Sequence, residues 1–590
     1  MRHSKKLLAL LLSTAMLAPS VQMTSIKAQA KYDTSKLSSE LLQELTTSSK
    51  KEKLPIVVWT VDINQELVEY QTEKATGIDA DEFYSESNSE ALTTALSGED
   101  NEFTEADFKQ YLKETRKERK EQLKETHLFN KTKRAIAKEK YINQNKDFIA
   151  TNLEQDDITF SSNYAPMIIT SATPKQIEKI SNKPNTLSID LYSDTEKEAE
   201  DQLSVAKQVI NATTLRTQEG LDGSGVTIGL IESGCPNKSN SELTSSDITN
   251  LSSNVTNHAT MTSGIIVGSN GIAPSAKLIS VARTSIYENI EQLLDNNVQL
   301  ISMSNGSDSG TYGNIPKWID HVVAQHNVSF IASAGNSGID GGVCDSGMGY
   351  NAISVGAIDD KNTTSLSDDV IASYTSRKSN TATKPEIYAP GSNITVAGST
   401  SSGTSFSCPM VSGMAALLID AFPLCGRLPS LLKATLIASG RNLNNSGYTN
   451  VSSVTSDIGA GVVRATTAYK ALSEQNINYG WFLKGHSSWN QTITTKYNGV
   501  CRFCLVWIKD NKYEDGNNHS SFTNLINDQF INMDVVIKDK NNRVVASASQ
   551  PNNTFELCQF TAAANESYTV TISTNSSLTK NLYFSYVILQ

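Results

Sequence analysis

Residues 226–234 read Val-Thr-Ile-Gly-Leu-Ile-Glu-Ser-Gly, a short run rich in Val, Ile and Leu that stops at an acid and a glycine. A run of this length without polar alternation fits a strand covered on both faces, the usual state in parallel sheets clothed by helices. The same kind of run recurs at Leu278–Ala282 (LISVA), Leu300–Met303 (LISM), Val328–Ala332 (VSFIA) and Ala352–Val355 (AISV). Helix candidates such as Pro316–Asn327 lie between them, joined by short Gly-rich connections. Alternation of strand and helix from about 211 to 472 predicts an α/β fold with a mostly parallel sheet flanked by helices.

Open sheets of this class gather their chemistry at the carboxyl ends of strands. Strand 226–231 runs into Glu232-Ser233-Gly234, and strand 328–332 into Ala334-Gly335-Asn336. Asn257-His258-Ala259-Thr260 opens a helix of small residues, and Ser402-Gly403-Thr404-Ser405-Phe406-Ser407-Cys408-Pro409 runs into an apolar one. A serine at the mouth of a buried helix sits where free N–H groups and the positive dipole end favour a developing oxyanion, with Pro409 tolerated early in the helix. Alone, Gly-Thr-Ser before a helix reads more simply as a cap. The company of an acid, a histidine and an asparagine changes that reading. Only three of the seven histidines fall in this region, and His321 and His326 sit on the 316–327 helix without neighbouring site signals, which leaves His258 as the candidate base. Asp247 is a rival acid before His258, although Ser245-Ser246-Asp247-Ile248 reads better as turn chemistry.

Together with Gly271-Ile272-Ala273-Pro274-Ser275-Ala276, Ser302-Met303-Ser304-Asn305-Gly306, Tyr388-Ala389-Pro390-Gly391 and Gly459-Ala460-Gly461, these ordered motifs resemble the subtilisin-like serine proteases over roughly 211–472. An α/β-hydrolase would place G-x-S-x-G ahead of the acid and histidine, and that order is absent. The resemblance implies Ser405 as acylating nucleophile, His258 as general base and Glu232 as the group that orients the imidazole. It implies an oxyanion hole from the Asn336 side chain and the Ser405 N–H, and a segment, Ser304, Asn305 and Gly306, that pairs with extended substrate backbone. Protein or peptide substrates follow, and no cofactor is required for catalysis. Structural calcium, common in the family, stays open because no D-x-D-x-D-type loop appears, and no metal ligands are assigned. One departure matters, since the family has aspartate where this chain has Glu232. Either the triad works with altered geometry or the chain is a lapsed enzyme that binds peptides or a surface.

Arg2, His3, Lys5 and Lys6 precede the apolar run Leu7–Leu17 and the triplet Ala28-Gln29-Ala30, the order of a secretory signal peptide over 1–30. Secretion to the extracellular space is expected. Residues 31–200 are expected to form a separate α+β unit. Strand candidates are Pro55–Thr60, Tyr164–Thr170 and Thr186–Leu191, and Thr173, Pro174 and Gln176 compose a capping box for a short helix. This order resembles a subtilisin propeptide, which implies an intramolecular chaperone and inhibitor removed by self-cleavage, expected within Tyr192–Asp201. Between its first strands, Thr104–Lys146 carries 13 Lys and Arg against 7 Asp and Glu, with Phe108, Tyr111 and Leu112 at helical spacing. That insertion, 104–146, predicts a solvated helical hairpin, with a lid over an acidic partner surface as the alternative.

The peptidase-like region is bounded at 201–474. In 475–590 the helical signal stops and strand-like runs follow, including Phe503–Ile508, Met533–Ile537, Val544–Ala546 and Tyr568–Ile572. An antiparallel β-sandwich results, resembling the jelly-roll domains appended to some secreted subtilases. Across all 590 residues the net charge is −11, which argues against a nucleic-acid partner, and no membrane-spanning stretch follows residue 30. Seven cysteines over such a length are no disulfide scaffold, and most are expected buried and unpaired.

Overall fold

The computed structural model describes residues 32–85, 105–192, 203, 205–443, 449–450, 454, 458–473, 477–483, 485–509, 531–574, 578 and 582–590. Residues 1–30, expected to be a signal peptide, and 193–201, where self-cleavage is expected, lie outside the described residues. The chain divides into two compact units, one of residues 1–64, 138–193 and 513–529, the other of 65–137, 194–512 and 530–590. The sequence reading kept 31–200 together, whereas 65–137 fall in the larger unit.

In the smaller unit β1 (Leu54–Thr60), β2 (Ile158–Ser161), β3 (Met167–Ala172) and β4 (Thr186–Leu191) form an antiparallel sheet of order β2-β3-β1-β4. Ile56, Val58, Ile168 and Ile189 meet Ile177 and Ile180 of the short helix Pro174–Ser181 in its core. That helix starts as its sequence dictates. The Gln176 N–H donates to Thr173 Oγ1 at 3.4 Å, and the Thr173 N–H donates back to Gln176 Oε1 at 2.8 Å.

The basic stretch is one helix, Glu105–Asn152, of 48 residues, and the hairpin expectation is corrected. No Gly or Pro interrupts it, so nothing in the chain turns it back. It is not uniformly solvated either, since Leu123, Phe129, Arg134 and Tyr141 are buried. In the larger unit, Arg134 Nη2 donates to the carbonyls of Val298 (3.0 Å) and His326 (2.9 Å), and Lys133 pairs with Glu69 at 2.8 Å. Arg427 reaches Thr126 Oγ1 (2.8 Å) and the Phe83 carbonyl (3.0 Å). Part of the basic surplus thus satisfies buried acceptors.

The main sheet of the larger unit contains β5 (Thr227–Glu232), β6 (Ile248–Asn250), β7 (Lys277–Ala282), β8 (Leu300–Met303), β9 (Ser329–Ser333), β10 (Ile353–Asp359), β11 (Val370–Ile371) and β12 (Ile387–Pro390). Its order is β11-β10-β9-β8-β5-β7-β6, with β12 also on β10. Only β11 pairs antiparallel. The reversal of strand order around β5 brings the ends of β5, β8 and β9 to one side, where the candidate residues lie. Two small hairpins follow, β13 (Ile394–Val396) with β14 (Ser399–Ser401) and β15 (Arg441–Asn442) with β16 (Thr449–Asn450). The helix Thr404–Ala421 has the length and apolarity of a membrane span, and 94% of that window is buried in the core.

The tail comprises β17 (Ile477–Phe482), β18 (Ser488–Thr494), β19 (Gly499–Trp507), β20 (Met533–Lys538), β21 (Val544–Ala548), β22 (Phe555–Ala562), β23 (Ser567–Thr574) and β24 (Leu582–Leu589). They make two four-stranded antiparallel sheets, β17-β24-β19-β22 and β18-β23-β20-β21. Tyr568, Val570 and Ile572 point into the shared core with Phe503, Leu505 and Trp507. On the first sheet's other face, Cys504, Val506, Phe555, Leu557, Val587 and Leu589 join the core of Met414, Leu418, Leu431 and Leu432. The sandwich is therefore continuous with the core around the helix Thr404–Ala421. All seven cysteines are buried and free.

Candidate active site

Glu232 closes β5, in register with Ala282 of β7, and is 0% exposed. His258 is the second residue of the helix Asn257–Val267, whose cap Thr256 accepts from the Ala259 N–H at 3.2 Å. The loop between them runs close against that cap. A Cβ on Gly234 would lie 2.5 Å from Thr256 Cγ2, so the residue after Ser233 has to be glycine for the helix to approach. This places Glu232 Oε2 at 2.8 Å from His258 Nδ1. Glu232 Oε1 has no hydrogen-bond partner among the described residues, which leaves the imidazole as the described partner of the carboxylate's side-chain oxygens. The extra methylene relative to aspartate is accommodated with a normal contact. Asp247 is exposed just ahead of β6, and its backbone carbonyl accepts from the Leu278 N–H at 2.8 Å.

Ser405 is the second residue of the helix Thr404–Ala421 and is buried. Its ring neighbour Phe406 lies 5.2 Å from the His258 ring, centroid to centroid. The Ser405 hydroxyl donates to the Ser304 carbonyl at 3.1 Å. Pro409 is deeper in the helix than the first turn expected for it. Lacking an N–H, it leaves the Ser405 carbonyl without its i+4 donor.

Asn336 follows β9 through Gly335, whose φ of +102° suits glycine. Asn336 Oδ1 accepts from the Thr404 N–H at 2.9 Å and from Thr404 Oγ1 at 3.1 Å. Both acceptor contacts being taken by Thr404, its Nδ2 is the end that remains to donate, beside the start of the Ser405 helix. Ser304, Asn305 and Gly306 continue β8 and are buried. Ser304 Oγ and both amide atoms of Asn305 are buried without partners among the described residues.

Sequence reasoning missed the groups behind this segment, Asp308, Cys344 and Asp345. Cys344 Sγ donates to Asp308 Oδ1 at 3.1 Å, and burial with these acids raises the thiol well above its usual range. Cys408, one turn past Ser405, is likewise pushed up to about 11 by burial, so neither thiol competes with the hydroxyl as an anion. No motif marks these residues, because their neighbours come from distant loops. Among the described residues no group of three or more His, Cys, Asp or Glu could hold a metal ion.

A buried carboxylate–imidazole pair, a serine at a helix mouth and an asparagine amide held at its carbonyl end compose the chemistry of acyl transfer. The serine protease AprX of Bacillus subtilis (strain 168) is 29% identical over 279 residues, 38% of this chain and 62% of AprX, so the chain spans less than two thirds of that relative. Subtilisin DY of Bacillus licheniformis is 27% identical over 274 residues, 41% of this chain and 92% of that protein. A solved cold-adapted subtilisin-like serine proteinase is 24% identical with a TM-score of 0.30, covering 39% of this chain and 88% of its own. The model of the family described as Subtilase family matches residues 151–461, more than half of the 590, and the chain belongs to that family.

Proposed function

We propose that the protein is an exported serine endopeptidase that hydrolyses peptide bonds through an acyl-enzyme, with a Ser405–His258–Glu232 triad. The observation that carries this is the 2.8 Å contact between the buried Glu232 carboxylate and His258 Nδ1. It fixes the tautomer with Nε2 as acceptor, the state a general base needs. In the proposed cycle Ser405 Oγ, which donates to the Ser304 carbonyl at rest, gives its proton to His258 Nε2 and bonds to the scissile carbonyl carbon. The oxyanion is met by the Asn336 Nδ2–H and the Ser405 N–H, both free of described helix partners at that end. Collapse breaks the C–N bond as the imidazolium returns its proton to the leaving amine. Water then repeats the sequence on the acyl-Ser405 ester and restores the hydroxyl.

The same reading makes the N-terminal residues an intramolecular inhibitor released by self-cleavage within Tyr192–Asp201. A serine-directed fluorophosphonate is expected to label Ser405, and Ser405→Ala is expected to lose labelling and peptide hydrolysis and to accumulate uncleaved precursor. A folded wild-type protein that neither labels nor cleaves any peptide library member sinks the proposal. Mature-length product from Ser405→Ala would assign processing to another protease.

A further inference from the structure

Ser304–Gly306 are held from behind by the short turn Asp345–Gly347. Asp345 Oδ1 accepts from the Ser307 N–H at 3.1 Å, the Asp345 N–H donates to the Ser307 carbonyl at 2.8 Å, and Ser346 Oγ donates to the Asn305 carbonyl at 3.2 Å. A Cβ on Gly306 would come within 2.7 Å of Asp345 Oδ1, so the two segments meet backbone to side chain with no room between.

The chain then passes through Gly349, Tyr350, Asn351 and Ala352, which are buried yet belong to no helix or strand. Backbone groups in that position need partners supplied from outside the segment. Some come from the peptidase side. Lys433 Nζ donates to the carbonyls of Tyr350 (2.6 Å) and Ala352 (2.9 Å), and Lys384 Nζ to those of Gly349 and Ala352. Asp320 accepts from the N–H groups of Tyr350 (3.1 Å) and Asn351 (2.7 Å). The rest come from the sandwich. Thr554 Oγ1 donates to the Tyr350 carbonyl at 2.8 Å. The Asn351 side chain pairs with the Lys509 backbone in both directions, accepting its N–H at 2.8 Å and donating to its carbonyl at 2.8 Å.

We propose that the C-terminal sandwich is a positioning element of the substrate site, in which Lys509 and Thr554 fix Tyr350–Asn351, and through Asp345–Gly347 fix the segment Ser304–Gly306. The inference rests on the peptide-pairing role proposed for that segment. A tail that served only to cover apolar surface would need the side chains in the shared core and none of these polar ties into an irregular loop.

The test uses the full chain with Thr554→Val, Asn351→Ala and the conservative Thr554→Ser. Amide hydrogen exchange is read at 304–308, 344–352 and, as a control for folding, 226–232. It is paired with kcat and KM on an extended peptide and the fluorophosphonate labelling rate of Ser405. In the first two variants exchange rises at 304–308 and 344–352 with 226–232 unchanged. KM rises roughly five-fold, the scale of one lost hydrogen bond in ground-state binding, while kcat and labelling hold. Thr554→Ser behaves as wild type. Unchanged exchange at 304–308 in both folded variants overturns the proposal, and so does a uniform rise in exchange with labelling and kcat falling together. If exchange responds as described but wild type neither labels nor cleaves, the positioning role stands and the proposed hydrolysis falls.

Discussion

Glu232→Gln is the sharpest perturbation of the proposed triad, because it keeps the side chain's shape and removes its charge. Side-chain exposure is 0% for Glu232 and 7% for His258, with 2.8 Å between them, so solvent does little to screen the pair. As His258 takes the serine proton it becomes a cation beside a carboxylate. Two unit charges at about 4 Å attract by about 4 kcal/mol at the effective dielectric of ~20 that suits protein sites. At 1.36 kcal/mol per decade this predicts a fall in kcat of roughly 10³-fold, with KM little changed. The amide can also turn its N–H toward Nδ1, which would favour the wrong tautomer. Glu232→Asp separates geometry from charge. It withdraws the carboxylate by about one C–C bond, ~1.5 Å, from a strand end set for glutamate, and kcat is expected between wild type and the Gln variant. Steady-state hydrolysis of a fluorogenic peptide, with exchange at 226–232 confirming the fold, makes the comparison. Gln turnover within about tenfold of wild type would remove Glu232 from the mechanism, and aspartate matching glutamate would refute the argument that the strand end is set for the longer side chain.

Asn336→Ala is expected to lower kcat roughly 10²- to 10³-fold with KM nearly constant, as loss of one oxyanion donor does; single-turnover acylation rates check it. Glu556 is 0% exposed in β22, and burial raises its carboxyl to about 8 from an ordinary value of 4.5. The folded state therefore holds this proton more tightly than the unfolded chain between those values, so stability is lost as pH rises from about 4.5 to 8. Glu556→Gln keeps an oxygen for the Gln550 N–H and should raise the thermal midpoint at pH 8 but hardly at pH 4.5; an equal gain at both contradicts the assignment. Arg134→Ala strips donors from the buried Val298 and His326 carbonyls and should cost about 3 kcal/mol of the larger unit's stability in guanidinium chloride unfolding; an unchanged midpoint would show that those contacts contribute nothing.

The central strands were legible because burial on both faces writes itself into unbroken runs, and Val226–Ile231 appears as β5 displaced by a single residue. The place of Glu232 at the end of that run was legible from its neighbours, Ile231, Ser233 and Gly234, and the glycine lies where the cap of the His258 helix passes. The helix 105–152 was legible in type and not in extent, since one long helix and two short ones share the 3.6-residue period and only a break distinguishes them. The burial of Arg134 and Arg427 was not legible at all. A guanidinium that binds carbonyls from a distant loop looks, in sequence, like any solvated arginine. The same limit hid Asp345 and Ser346 behind Ser304–Gly306, because their partners lie about 40 residues away in the chain.

The tail did carry its own signal. Tyr568–Ile572 alternates, and β23 is buried on alternate residues, as a sheet with one wet face requires. Phe503–Trp507 does not alternate, and in β19 every residue from Cys501 to Trp507 is buried. A strand of an antiparallel sandwich with no polar face must be covered twice, and here the second cover is the peptidase core. Cys504, Val506, Phe555, Leu557, Val587 and Leu589 stand on that second face. At about 1.5–3 kcal/mol per large apolar side chain, exposing them would cost on the order of 10 kcal/mol, comparable with the whole net stability of an ordinary domain. Residues 475–590 are therefore expected to be much less stable when detached, which far-UV circular dichroism of the isolated segment checks. Any role in binding a surface has to be sought in the intact chain, where Lys509, just past β19, and Thr554, just before β22, also hydrogen-bond to the Tyr350–Asn351 loop.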